Sequence, residues 1–282
     1  MKKKGVNDQF LSSMILNCAS YDDYLQRLIE LSISSFEWTN LPLSVDSRYI
    51  EMTLLQSGQA VYFRDEVLGD LCLDCLANGN FDVYGNPVKR RGYSRYNNYS
   101  INLDETNSVI IWNNMLRKSS YNQLKLFALR LYNLDRIIDV NCNAQKTPVL
   151  VQGNDKQRLT LLNLYKEYEG NAPFIFGDKN LDLNSLKVLQ TGAPYVSDKI
   201  YEMKVNVWNE ALTYLGISNL SVNKKERLIT DEVQRNQGGT IASRYSRLQS
   251  RKDAVAKINN MFSTDIDVNF RDDYNNGGDF FE

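Results

Sequence analysis

The stretch YNQLKLFALRLYNLDRII, residues 121–138, decides the fold of this chain. Its apolar side chains step by three and four residues, the spacing of one helical face, at Leu124, Phe127, Leu131, Leu134 and Ile138. Three more apolar residues, Leu126, Leu129 and Ile137, widen the stripe beyond that face. We therefore predict a long helix from Tyr121 that is covered on two sides, by its own chain or by a partner.

Further helices are predicted on both sides of this stretch, from the same apolar periodicity. They are expected at Phe10–Phe36, Asp46–Gln56, Tyr195–Leu215, Lys224–Val233 and Tyr245–Phe262. Gly58 and Gly216 follow two of these runs, and glycine is the usual residue just past a helix end. The long helices thus come from separated parts of the chain.

Short apolar runs separated by Asn, Gly and Asp predict strands in two other sections. The first covers Ala60–Trp112. The second, Thr147–Gly192, combines a strand PVLV, a helix Leu159–Tyr168, a strand PFIF and the run SLKVLQ, and is typical of a small α/β module. Pro148 ends the helix from Tyr121, because the residue before proline is pushed toward extended geometry. After Phe262 we expect one strand and an acidic, disordered end.

The segment TDEVQRNQGGTIASRYSR, residues 230–247, places a glycine pair between two charged helical runs. It is longer than most links between packed helices. We predict a loop here, and the residues alone favour an ordinary surface loop over a functional one.

Cationic residues cluster at three places, although the formal net charge of the chain is −1 and excludes bulk attraction to nucleic acid. KRRGYSRYNNY, residues 89–99, suits phosphate contact with stacking, or a polar hairpin. Arg244, Arg247 and Arg251 share one side of a helix that becomes apolar further along, which suits a helix projecting its cationic end toward an anion. Lys2, Lys3 and Lys4 form a basic arm, or a chance cluster.

The residue inventory argues against an enzyme or a metal site. The chain has no histidine, so it has no Ser-His or Cys-His nucleophile, and it has no Gly-rich phosphate loop. CLDC at Cys72–Cys75 has the spacing of a zinc site but no second pair, so core cysteines are favoured. Carboxylate pairs such as Asp22 with Asp23 fit a solvated surface. We predict no cofactor and no metal.

The sequence analysis predicts no targeting signal. No run of about 18 apolar residues is present, and the basic N-terminal stretch has no apolar core of signal-peptide length. We expect a soluble protein, made in the host cytoplasm and without a membrane partner.

Seven short motifs, in order along the chain, resemble those of portal proteins, the upper collars or head-tail connectors of small short-tailed phages with protein-primed linear genomes. They are FEWTNLP at 36–42, NAQKTPVL at 143–150, YEGNAP at 168–173, APYVSDK at 193–199, VWNE at 207–210, KKER at 224–227 and TDEV at 230–233. The resemblance extends from about residue 10 to about residue 271.

The resemblance implies an α+β, mainly α, portal fold assembled as a ring of about twelve copies at one capsid vertex. Long tilted helices form stem and core, with a β-rich wing and a small α/β clip. Mapped onto this chain, the parts are a basic arm (1–10), N-terminal helices (11–59), wing (60–119), stem helix (120–146), clip (147–192), stem helices (193–233), channel loop (234–243), core helix and strand (244–271) and a disordered acidic tail (272–282).

The resemblance also implies which residues meet double-stranded DNA during packaging, retention and ejection. Lysine rings of the channel carry over to Lys199, Lys224 and Lys225, whereas Gln190 replaces a further family lysine. The channel loop carries over to Gln234, Arg235, Asn236, Gln237, Gly238, Gly239, Thr240, Ile241, Ala242 and Ser243, with Arg244 and Arg247 at its flank. Its arginines would meet phosphates without reading sequence.

Partners follow from the same resemblance. They are a separate packaging ATPase, with or without a packaging RNA, held through Lys2, Lys3 and Lys4; the major capsid and scaffolding proteins; and a lower collar or tail protein. Two other hypotheses stay open from the residues alone. One is a monomeric nucleic-acid-binding or collar scaffold protein that uses the arginine cluster as a static site. The other is a histidine-free carboxylate nuclease.

Overall fold

The computed structural model of the 282-residue chain describes residues 6–145, 149–151, 186–188, 194–218 and 230–271. Five helices are described: α1 Val6–Ser34, α2 Ser47–Ser57, α3 Tyr121–Gln145, α4 Ser197–Leu215 and α5 Thr230–Phe262. The strands are β1 Phe36–Thr39, β2 Gln59–Asp65, β3 Gly69–Ala77, β4 Lys89–Tyr93, β5 Ser100–Asp104, β6 Ser108–Trp112, β7 Val149–Val151, β8 Leu186–Val188 and β9 Asp267–Phe270.

The chain divides into two compact units. The first combines Met1–Asn133 with Lys204–Glu282, and the second is Leu134–Met203, so the division falls within α3 and within α4. None of the helices in the described ranges combines the length and apolar character that crossing a membrane requires.

The first unit contains a strongly curled antiparallel sheet with strand order β5-β4-β3-β2-β6. The two edge strands, β5 and β6, are joined by only the turn at 105–107. Five flat strands spaced by about 4.8 Å would put these edges too far apart for so short a turn. The sheet therefore curls until its edges approach, and Ser108 Oγ donates a hydrogen bond of 2.6 Å to the Asp104 carbonyl at that point.

The two faces of this sheet are both apolar, because one fills the curl and the other packs on helices. In β2, Val61 and Phe63 point into the curl and Ala60 and Tyr62 point to the helical side, as strand alternation requires. The helical side meets Ile50 and Leu54 of α2 and Val255 and Ile258 of α5. The predicted β section at residues 60–112 is thus a single curled sheet with a core of its own.

A two-stranded sheet closes the other side of α5. β9 pairs antiparallel with β1, from Phe36 opposite Phe270 to Thr39 opposite Asp267. The strand predicted after Phe262 is therefore present. The sequence analysis does not predict β1: it extends the first helix to Phe36 and gives the residues after it no strand, whereas α1 ends at Ser34.

In the second unit, β7 and β8 pair antiparallel, within the predicted runs PVLV and SLKVLQ. The end of α3 is tied to the start of α4 by Asn141. Its side chain accepts hydrogen bonds from Val196 N at 3.0 Å and Ser197 Oγ at 2.9 Å, and donates one to the Pro194 carbonyl at 2.8 Å. The predicted helix Leu159–Tyr168 and strand PFIF lie outside the described residues.

Candidate functional site

The predicted loop at 234–243 is wrong for this structure, where α5 runs through it without a break from Thr230 to Phe262. Two glycines cost a helix about 1 kcal/mol each relative to alanine, which is why the sequence favoured a loop. Packing on α4 outweighs that cost from Gly239 onward. Thr240 is buried, and Ser243 Oγ donates a hydrogen bond to the Tyr214 carbonyl of α4.

Arg247 was predicted to contact phosphate, but the structure buries it. Only 5% of the residue is exposed. Its guanidinium donates to Ser120 Oγ at 3.1 Å and to the Tyr214 carbonyl at 3.2 Å, and it lies 4.9 Å from the Tyr214 ring centroid. Burial lowers the pKa of Arg247 from its ordinary value. The side chain therefore joins α5 to α4 and to the start of α3, and it is not available to an anion.

Arg244 closes the C-terminal end of α4. Its Nε donates to the Gly216 carbonyl at 3.0 Å and its Nη2 donates to Ser218 Oγ at 3.1 Å, while the guanidinium lies 4.3 Å from the Phe270 ring centroid. A cation is favoured at a helix C-terminus, where unpaired carbonyls gather. Gly216 is the predicted cap and has φ +81; a Cβ there would come within 2.8 Å of the Arg244 backbone, so only glycine fits.

The third arginine of the predicted stripe, Arg251, is 1% exposed and paired with Glu51 of α2. The side of α5 that is expected to change from cationic to apolar is therefore buried from Arg247 to Ile258 and half-buried at Arg244 and Phe262. The periodicity was recognised correctly, but the arginines on it form hydrogen bonds inside the chain and do not project toward an anion.

The remaining predicted site residues lie on α4, on α5 or outside the described residues. Lys199 is exposed near the start of α4, in the second unit. The backbone of Gln234, Arg235, Asn236 and Gln237 is helical, and Gly238, Ile241 and Ala242 are exposed on α5. Lys2, Lys3, Lys4, Gln190, Lys224 and Lys225 lie outside the described residues, as does the segment 272–282.

The basic patch at 89–99 is partly built into the curled sheet. Arg90 is 7% exposed and donates to the Pro87 carbonyl at 3.0 Å. Arg95 pairs with Asp74, whose carboxylate is fully buried. Both arginines therefore stabilise the fold. No local pattern in the sequence indicates the Pro87 carbonyl or Asp74 as their partners.

Cys72 and Cys75 lie on opposite faces of β3, since Cys72 belongs to the helical-side core and Cys75 to the core inside the curl. The two thiols cannot share a metal. Burial raises the pKa of both, that of Cys75 to about 12. In the described ranges no group of three or more Cys, Asp or Glu residues is arranged to hold a metal ion.

The comparison with protein families gives the class of protein. The model of the family described as Phage Connector (GP10) matches residues 16–275. The chain therefore belongs to the phage connector family, whose members are portal or head-tail connector proteins of the virion, and the resemblance seen in the sequence motifs is confirmed.

One solved portal structure has a similar fold, and two further structures match with lower TM-scores. The chain matches a structure described as the portal and tail of native bacteriophage P68 with 15% identity and a TM-score of 0.54, covering 96% of this chain and 93% of that one. A portal protein of the HK97 family from Corynebacterium diphtheriae matches with 10% identity and a TM-score of 0.43, covering 89% and 94%. A chain of a native gene transfer agent particle matches with 12% identity and a TM-score of 0.48, covering 89% and 79%.

Proposed function

We propose that this protein forms a ring of about twelve copies at one capsid vertex, through which double-stranded DNA is packaged, retained and ejected. The observation that carries the proposal is the family match over residues 16–275. The fold shared with the portal of phage P68 supports it. The protein would act as a conduit, while a separate ATPase drives the DNA.

Exposed apolar side chains on α3 support self-assembly. Leu124 and Leu131 are fully buried, but Leu126 is 61% exposed and Leu129 is 45% exposed. These are the residues that widened the stripe in the sequence. A second copy of the chain would remove them from water at a gain of about 25 cal/mol per Å² of apolar surface. We assign this side of α3 to the subunit interface.

DNA contact is assigned to α5 and to exposed lysines. Arg247 is buried and Arg244 binds the end of α4, so neither flanking arginine is assigned to DNA. We propose that Arg235, within the segment 234–243, contacts phosphate. Lys199 is exposed and suited to the same task, and Lys224 and Lys225 are proposed with it by family resemblance. Few cations per copy suit a conduit, because each neutralised phosphate strengthens binding and DNA held at many sites would not slide.

Further partners are proposed on family grounds. They are the major capsid and scaffolding proteins beside the curled sheet, a lower collar or tail protein, and a packaging motor held through Lys2, Lys3 and Lys4, with a packaging RNA if one is used.

The proposal is tested by complementing a phage that lacks this protein with the intact chain or with the variant Arg235→Gln, which leaves α5 unbroken. Nuclease-resistant DNA per particle is then measured. We expect DNA-filled heads from the intact chain and heads that assemble but lose DNA from the variant. Full heads from the variant would contradict the role of Arg235, and full heads without any copy of the protein would contradict the portal function.

A further inference from the structure

Two helices of the first unit each turn an apolar face to water. On α3, Leu126 and Leu129 are 61% and 45% exposed. On α5, Ile241 and Tyr245, one helical turn apart, are 59% and 57% exposed. The α3 face is assigned to the subunit interface of the proposed ring, and the α5 face is a second exposed apolar surface on the same chain.

The α5 face lies away from the side of that helix that packs on α4. Ser243 and Arg247 both donate hydrogen bonds to the Tyr214 carbonyl of α4, and they mark the packed side. At about 100° per residue, Ile241 and Tyr245 are centred about 160° around the helix from these two residues. The α5 face is therefore accessible to another molecule while α5 stays packed on α4.

The exposed part of α5 around these residues carries no charge. From residue 238 to residue 245, every exposed residue is uncharged; these residues are Gly238, Gly239, Ile241, Ala242 and Tyr245. A helix side that stays in water usually carries charged and polar residues, and 24% of this chain is charged. Depletion of charge around exposed apolar side chains is typical of the centre of a protein–protein interface.

Small residues on the α5 face leave room for large side chains from a partner. Gly238 and Ala242 are one turn apart and both exposed, and a Cβ added to Gly238 would meet open space. They form a shallow groove beside Ile241. Grooves of this kind accept a ridge of side chains from another helix.

The α3 face has the large side chains that such a groove accepts. Leu126 and Leu129 are three residues apart, which makes them neighbours on one ridge, and they lie opposite the buried Leu124 and Leu131. Exposed polar residues border the two leucines; they are Asn122, Lys125 and Asn133. An apolar centre with a polar rim is the usual composition of an interface.

We propose that the α3 face of one copy packs on the α5 face of the next copy, with Leu126 and Leu129 in the groove beside Ile241. The proposal rests on the ring of the proposed function and names the two surfaces that join its copies. Because the two faces differ, each copy offers one face to each neighbour, and such heterologous contacts can close into a ring. A two-fold dimer would instead pair one face with itself.

The first test is disulfide crosslinking of the full chain in a background of Cys18→Ser and Cys142→Ser. Each double variant carries Leu126→Cys or Leu129→Cys together with Ile241→Cys or Tyr245→Cys. We expect at least one of these pairs to link copies into a ladder of bands on a non-reducing gel, since each copy then bonds to a neighbour on both sides. Leu126→Cys with Lys257→Cys, which is exposed on another side of α5, is the matched control and should stay unlinked.

The possible results separate this contact from the ring itself. Closed rings in native mass spectrometry without a ladder from any pair would overturn the contact between α3 and α5 and leave the portal ring in place. A dimer band from Leu126→Cys alone would mean that α3 meets α3, and a disulfide within a monomer would mean that the faces meet inside one chain. Either result would overturn the proposal, and a protein that stays monomeric would overturn the ring as well.

The second test places a charge in the α5 face. Ile241→Glu should raise the protein concentration at which half of the chains are in rings by at least about tenfold, because an unpaired carboxylate is costly in an apolar contact. Lys257→Glu, the matched control on another side of α5, should assemble as the parent chain does. Thermal unfolding of both variants should match the parent, since both side chains are exposed. Parent-like assembly of Ile241→Glu, or an equal loss in both variants, would overturn the proposal.

Discussion

Arg251 of α5 and Glu51 of α2 form a fully buried two-point ion pair between residues 200 positions apart in sequence. Arg251 Nε donates to Glu51 Oε1 at 2.8 Å and Nη2 donates to Oε2 at 2.6 Å. Trp38 of β1 donates its indole N–H to the same carboxylate at 2.9 Å, and the Phe36 ring centroid lies 3.9 Å from the guanidinium. One charge pair thus joins α5, α2 and β1.

Removing one partner of this ion pair should lower the free energy of unfolding. Arg251→Met leaves the Glu51 carboxylate buried without its counter-ion, and we expect a loss of about 3–5 kcal/mol in the free energy of unfolding. The exposed pair Arg130–Glu210, at 3.0 Å, is the matched control, and Arg130→Met should cost at most about 1 kcal/mol. Equal losses in chemical denaturation would contradict the structural role of the buried pair.

The glycine pair gives a test of the helix through residues 234–243. An added Cβ at Gly238 meets open space, and one at Gly239 comes 3.4 Å from Thr213 Cγ2, an ordinary contact. Alanine at both positions should therefore stabilise α5 by about 1 kcal/mol per residue. Amide exchange across α5 should become slower. Unchanged or faster exchange would show that the segment is not helical in solution.

Two arginines near this segment should behave differently. Arg247→Gln removes hydrogen bonds from a buried guanidinium, so we expect a stability loss of about 1–3 kcal/mol. Arg235→Gln should leave stability unchanged and reduce DNA retention in particles. The pair of variants is measured by thermal unfolding and by nuclease-resistant DNA. A loss of retention with normal stability in Arg247→Gln would contradict the burial of Arg247.

The cysteines give a chemical test of the curled sheet. Cys72 and Cys75 are buried with raised pKa values, whereas Cys18 and Cys142 are exposed. Alkylation of the native protein at pH 8, mapped by mass spectrometry, should leave Cys72 and Cys75 unmodified until the chain is unfolded. Labelling of either one as fast as Cys142 would contradict their placement.

The same shifts predict a pH dependence. An unfolded thiol ionises around its ordinary pKa of 9.0, while folded Cys75 keeps its proton to about 12. The unfolded chain therefore binds fewer protons in this window, and the free energy of unfolding should fall as pH rises from 9.0 to 12. Cys72→Ala with Cys75→Ala should flatten that decline. An unchanged slope would exclude the thiols as its cause.

Local pattern predicted much of the fold. The apolar periodicity of residues 121–138 predicts α3, and the short apolar runs separated by Asn, Gly and Asp after Ala60 predict a β section, because both signals depend on neighbours in sequence. The curl of the sheet depends on which strands pair, and β1 pairs with β9 across more than 220 residues, so neither was visible locally.

The candidate site was predicted less well, and for a related reason. In a sequence, arginines spaced along one helix face have the same pattern whether they bind DNA or a buried carboxylate. For Arg251, the position of Glu51 in the fold distinguishes the two possibilities. Arg247 likewise donates a hydrogen bond to a backbone carbonyl of α4, and no pattern of side chains in the sequence predicts that contact. The helix through Gly238 and Gly239 was missed because tertiary packing outweighed local propensity.

The most direct test of the portal account is native mass spectrometry of the purified full chain, together with negative-stain imaging. The account predicts a closed ring of about twelve copies with a bore close to the roughly 20 Å width of duplex DNA, and predicts that Leu126→Glu with Leu129→Glu weakens the ring without unfolding the chain. A stable monomer or dimer at high protein concentration would contradict it.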